Sequence, residues 1–187
     1  MNQRFSNAVQ ELDTLLIWRW LKNPATRAGI RADLIQNALF QLISDKEVGM
    51  DTRYRKDAAN IIFDECDLDL EYRDQHNKAT PLIIAASSGR EHFLNILIEK
   101  KVNLRAVDEK LERTALSWAA RYNAVGCVKI LLNALMANHD VKTVQSKDID
   151  GRTALDIARD RRHPEIVKLL ELETEVRDGD TEVSLRH

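Results

Sequence analysis

Apolar side chains recur along this chain at helical intervals, and that spacing predicts its elements. Phe5, Val9, Leu12, Leu16 and Trp20 fall three to four residues apart and predict one amphipathic helix, which the Asn23-Pro24 pair ends. Ile30, Leu34, Ala38, Leu39, Leu42 and Ile43 mark a second helix. Gly49 and Asp51 punctuate the chain before a third, running from about Thr52 to Glu65. Beyond it, short helical patterns alternate with polar turns as far as residue 172.

Three of these later stretches repeat one another. They read Thr80-Pro81-Leu82-Ile83-Ile84-Ala85-Ala86, Thr114-Ala115-Leu116-Ser117-Trp118-Ala119-Ala120 and Thr153-Ala154-Leu155-Asp156-Ile157-Ala158-Arg159. Each is followed by a second apolar pattern: Phe93 to Ile98, Cys127 to Leu132, and Ile166 to Leu170. The threonines stand 34 and then 39 residues apart. Threonine at each start can cap a helix's free amides, and proline one position later costs no hydrogen bond. The small Ala85-Ala86 and Ala119-Ala120 pairs let neighbouring helices approach. Gly89 can end the first helix in the left-handed conformation, and Asn123 can do so less readily.

On these motifs and their spacing, the chain resembles the ankyrin repeat family, whose period is about 33 residues. The resemblance covers residues 61–172, with core repeats near 75–107, 108–146 and 148–172. A degenerate repeat precedes them, since 61–74 aligns with 95–108. It implies an all-α solenoid of stacked helix-turn-helix units. Residues 1–60 are expected to form a helical cap, because a terminal repeat's apolar side needs shielding. A small effector or dimerisation module is the alternative for that segment. Trp18 and Trp20, two positions apart, cannot share one core stripe. The third repeat departs from the family pattern at Arg159 and Arg162, as suits an end repeat facing water. About six extra residues fall within 133–140, and they either lengthen the outer helix or bulge the loop after it.

Composition narrows the function. The chain is 44% hydrophobic and 31% charged, with a formal net charge of -2. No apolar run approaches the roughly 18 residues that span a bilayer, and no signal-peptide pattern opens the chain. A cytosolic protein is expected. The acidic tail at 173–187, expected to be flexible, also resembles the secretion signals of bacterial effectors, so delivery to a host cytosol is the alternative. Cys66 and Cys127 form no metal or redox motif. None of His76, His92, His139, His163 and His187 has a partner at metal-ligand spacing. No cofactor, metal or catalytic residue is expected, nor a nucleic-acid or membrane partner, and the chain is expected to be a monomer.

The resemblance also implies a binding face made of fingertips and the exposed side of the inner helices. Carried over by register, that face comprises His76, Asn77, Ala79, Ser87 and Ser88 from the first repeat. The second contributes Lys110, Leu111, Arg113, Arg121 and Tyr122, and the third Ile149, Asp150, Arg152, Asp160 and Arg161. Its five cations around an aromatic centre suit an acidic peptide or protein surface. The same arginines could instead pair with neighbouring acids on a solvated face. A scaffold or adaptor is the leading expectation. The alternatives are an inhibitor or regulator of a partner enzyme, and an enzyme whose site lies in the N-terminal helices.

Overall fold

The structure is a computed structural model that describes residues 1–10, 13–44, 52–66, 68–74 and 78–172. The chain runs through α1 (Asn2–Gln10), α2 (Thr14–Lys22), the single-turn α3 (Pro24–Arg27), α4 (Ala32–Ser44) and α5 (Thr52–Glu65). It continues through α6 (Pro81–Ser87), α7 (Glu91–Glu99), α8 (Ala115–Arg121), α9 (Val125–Ala137), the short α10 (Val141–Val144) and α11 (Ala154–Asp160). A last helical segment, α12, covers 164–172. Among the described residues the only β pairing is an isolated bridge between Val107 and Thr114.

The helices stack in two rows. α6, α8 and α11 pack side by side as an inner row, and α7 packs on α9 behind them. Ala85, Ala86, Ala119 and Ala120 are fully buried where the inner helices meet, as their small side chains require. Leu82 and Leu116 are buried with them. Leu155 is half-buried, because α11 has a neighbour on one side only.

The N-terminal helices continue this arrangement. α4 packs on α6, and α1 packs on α4, extending the inner row. α2 packs on α5 at the outer side. The single helix expected from Phe5 to Trp20 is in fact two. Asp13 caps α2 by accepting a hydrogen bond from the Leu16 amide at 2.9 Å. Leu12 lies outside the described residues. Asn23 then ends α2 and caps α3 through the Ala25 amide at 3.0 Å.

Left-handed backbone recurs at fixed posts in the repeat. Positive φ occurs two residues before each threonine, at Lys78, Glu112 and Gly151. It occurs nine residues after each, at Gly89, Asn123 and Arg162. It closes the outer helices at Lys101 and His139. The extra residues of the second repeat appear in both forms anticipated. α9 has 13 residues against 9 in α7, and α10 follows it.

The threonine caps are unequal. Thr114 accepts from the Ser117 amide, and Thr153 forms a complete capping box with Asp156. Thr80 has the same extended backbone but makes no side-chain cap bond, so the capping expected of it is corrected. Pro81, with φ preset for a helix, opens α6 instead.

Candidate functional site

A finger organised by a carboxylate precedes α8 and another precedes α11, and Asp74 stands at the matching post of the first repeat, before α6. Asp74 accepts from the Ala79 amide at 2.8 Å. Asp108 accepts from the amides of Lys110 (2.9 Å), Leu111 (2.7 Å) and Arg113 (3.1 Å). Asp148 accepts from the amides of Asp150 and Arg152, both at 3.0 Å. The second and third fingers are tied by a backbone bond, in which the Ile149 amide donates to the Leu111 carbonyl at 3.0 Å. That bond sets Leu111, half-buried, beside Ile149, which is 60% exposed.

Arg113 requires a correction. The register places it on the open face, but the structure buries it. Its guanidinium reaches across to the next finger, where Nε and Nη2 donate to Asp148 Oδ2 at 2.9 and 2.8 Å. Arg152 is likewise occupied: it pairs with Asp148, Asp150 and Asp160. The expectation that neighbouring acids take up the arginines therefore holds for these two. Ala79 is buried as well. Ser87 and Ser88 are half-buried and donate to the carbonyls of Ile84 (3.0 Å) and Ser44 (3.5 Å). His76 and Asn77 lie outside the described residues.

Trp118, which the register argument missed, touches several of these residues. Its indole Nε1 donates to Asp108 Oδ2 at 2.8 Å, fixing the ring against the second finger. Tyr122, one helical turn on, stacks on it with centroids 5.7 Å apart and planes inclined by 10°. Arg113 lies over the ring at 5.3 Å and Arg121 at 5.8 Å, within the range of cation-π attraction. Tyr122 keeps 51% of its surface exposed. The signal was present in the sequence. Trp118 stands where the sister repeats carry Ile84 and Ile157, and an indole there needs a hydrogen-bond partner.

Charge divides cleanly across this face. Lys110, Arg121 and Arg161 form no ion pair with any described residue. Asp150 and Asp160 are each engaged by Arg152. Lys110, Asp150, Asp160 and Arg161 are all exposed. His163 anchors the far end of the face, its Nε2 lying 3.3 Å from the Arg121 carbonyl.

Ionisable groups elsewhere are structural in setting. Cys127 is fully buried in the core, and burial, with Glu91 adding to it, pushes its thiol up to about 12. Burial also raises the Cys66 thiol, against the opposing charge of Arg27. Among the described residues no group of three His, Cys, Asp or Glu side chains could hold a metal ion. No helix among them is long and apolar enough to cross a membrane.

A double row of helices with carboxylate-pinned fingers along one edge is the build of a helical repeat array, a class that presents a concave binding surface. The family model of ankyrin repeats (three copies) matches residues 39–143 and 109–180, and the chain belongs to that family. The matched span opens inside α4. The chain is also similar to a putative E3 ubiquitin-protein ligase, XBAT31 of Arabidopsis thaliana, at 33% identity over 100 residues. The aligned part is 50% of this chain and 22% of that protein, so the chain spans about a fifth of that relative's length.

Proposed function

We propose that this chain is a scaffold or adaptor that recognises a protein partner through the face centred on Trp118 and Tyr122. Ankyrin repeats are in general protein-protein interaction modules. The observation that carries the particular reading is the pairing pattern of the face. Its acids Asp150 and Asp160 are both held by Arg152, while Arg121 lies over Trp118 of the Trp118–Tyr122 stack, Lys110 and Arg161 are exposed, and none of the three pairs with an acid among the described residues. Aromatic and arginine side chains supply much of the energy of protein interfaces. Cations left without partners favour an acidic counterpart. The partner is therefore a protein with an acidic surface or segment, met in the cytosol. The likeness to a putative ubiquitin ligase supports a recruiting role, in which the array brings a protein to an activity held elsewhere.

Site-directed photo-crosslinking tests this. A photoreactive amino acid in place of Tyr122 is expected to capture a partner from cell extract. The same probe in place of Asn133, exposed on α9 at the opposite row, is expected to stay silent. Arg121→Ala with Arg161→Ala in the protein that carries the probe at position 122 should abolish the capture while circular dichroism stays unchanged. Capture from position 133 alone would move the interface to the outer helices and end this reading.

A further inference from the structure

A groove of about 340 Å³ lies at the open end of the array, lined by Val144, Gln145, Lys147, Thr153, Leu155 and Leu170. These residues belong to α10, the start of α11 and α12, the last elements among the described residues, and none comes from α8 or α9. Its apolar part is Val144, Leu155 and Leu170, and Lys147 is the charged residue of its lining. Leu155 is half-buried, and Leu172 at the end of α12 is 48% exposed. Inner-row apolar surface is thus left uncovered here, where earlier repeats bury theirs against a neighbour.

The chain that follows, 173–187, lies outside the described residues, and its sequence repeats the motif that opens each inner helix. Asp178-Gly179-Asp180-Thr181-Glu182-Val183-Ser184-Leu185 matches Asp150-Gly151-Arg152-Thr153-Ala154-Leu155-Asp156-Ile157 at the aspartate, the glycine and the threonine. It also matches at the apolar residues two and four positions after the threonine, a pair that Leu82 with Ile84 and Leu116 with Trp118 supply in the earlier repeats. Gly179 stands two residues before the threonine, where Lys78, Glu112 and Gly151 hold positive φ, and glycine takes that conformation without strain. Two departures limit the copy. Thr181 follows Leu170 by 11 residues, whereas Thr114 follows its counterpart Leu97 by 17, so no full finger fits. Arg186 stands at the post of the fully buried Ala85, Ala119 and Ala158, so close packing stops after the first turn.

We propose that residues 181–185 form one more turn of the inner row and seat on this groove. Thr181 caps the turn, and Val183 and Leu185 cover Leu155 and Leu170. Asp180 and Glu182 flank the threonine beside the Lys147 amine, so charge and apolar surface match together. Leu170 lines the groove itself, so the segment sets out from beside its seat. One helical turn does not persist alone in water and holds only against such a surface. So seated, it shields the apolar side of the last repeat.

A photoreactive amino acid at position 185 of the full chain tests this. It is expected to give adducts within one chain, on the segments that hold Val144, Leu155 and Leu170, read by mass spectrometry of the monomer band. The same probe at position 177, whose counterparts Lys110 and Ile149 are exposed, is expected to yield several-fold less. Adducts that join two chains would give the groove to a second copy and overturn the proposal. So would equal yields from the two positions, adducts elsewhere on the chain, or none. Stability supplies an independent reading. Leu185→Asp should lower the thermal midpoint by about 2–4 °C on the native chain. It should lower it hardly at all on Leu155→Ala, since both changes remove one contact. The same drop in both backgrounds would show that Leu185 and Leu155 do not meet, and the proposal would fall.

Discussion

Arg113 in the second finger grips Asp148 in the third through two hydrogen bonds, and neither side chain leaves more than 2% of its surface in water. A buried ion pair is not by itself a strong source of stability, but removing one member strands the other. Asp148 would keep Arg152 if Arg113 were lost, whereas Arg113 has no second carboxylate among the described residues. Asp148 also receives two finger amides. Asp148→Ala is therefore expected to cost about 3–5 kcal/mol, and Arg113→Met only about 1–3 kcal/mol. The double variant should cost less than the two losses added together. Urea denaturation of the three variants measures this, and strict additivity would show that the pair is not coupled.

The same carboxylate should govern the response to acid. Burial opposes the Asp148 charge, but hydrogen bonds from Arg152 and Arg113 outweigh it and hold the carboxyl below the usual range. Asp140 is lowered in the same way: burial opposes its charge, and bonds from Arg105 and Thr143 prevail. Asp156 is lowered by the Thr153 amide and hydroxyl. A carboxyl depressed in the folded state takes up protons more readily when unfolded. Its stabilisation is thus complete above the unfolded value of about 3.9 and is lost as pH falls through the folded one. The urea midpoint should stay level from about pH 7 to 5 and then drop steeply below about pH 4. Asp148→Asn should start lower and fall less steeply. Parallel curves for the two proteins would remove Asp148 from this account.

Much of the architecture was legible because it depends on short-range pattern. Thr80, Thr114, the alanine pairs, Leu82 and Leu116 lie buried in the inner row, while Thr153 and Leu155 at its open end are half-buried. The spacing of Ile30 to Ile43 located α4, and the boundary at Thr52 located α5. The break at Asp13 was hidden, since one polar residue does not disturb an apolar period of three to four. Arg113 was misjudged for a different reason. Its partner lies 35 residues away and meets it only once two fingers pack. The stack at Trp118 needed the sister repeats to be compared at one more position.

Strain at the left-handed posts gives a third prediction. Gly89 and Gly151 occupy two of these posts without cost, but Arg162 holds φ at 58° with a full side chain. Positive φ costs a non-glycine residue about 1–2 kcal/mol, and asparagine less. Arg162→Gly should therefore raise stability by about 1 kcal/mol after the extra chain entropy of glycine is set against the gain. Asn123→Gly should change little, and Gly151→Ala should destabilise. Thermal midpoints of the three variants check the order. A loss of stability in Arg162→Gly would mean that the arginine side chain contributes more than its backbone costs.

Helix caps supply the last contrast. The Thr153 hydroxyl accepts from the Asp156 amide at 3.2 Å and donates to the Asp156 carboxylate at 2.7 Å, while the Thr153 amide reaches the same carboxylate at 2.9 Å. Thr153→Val removes the two hydroxyl bonds at the start of α11 and leaves the backbone one, so it should cost about 1–2 kcal/mol. Thr80 stands at the matching position before α6, with nearly the same backbone angles, yet its hydroxyl is buried with no hydrogen-bond partner among the described residues. A buried hydroxyl without a partner costs about 1–3 kcal/mol. Thr80→Val keeps the shape and removes that penalty, so it should be neutral or stabilising by up to about 1 kcal/mol. Calorimetric melting of the two variants decides the matter. If Thr80→Val lowers the melting temperature as far as Thr153→Val does, then the first threonine caps its helix in solution after all.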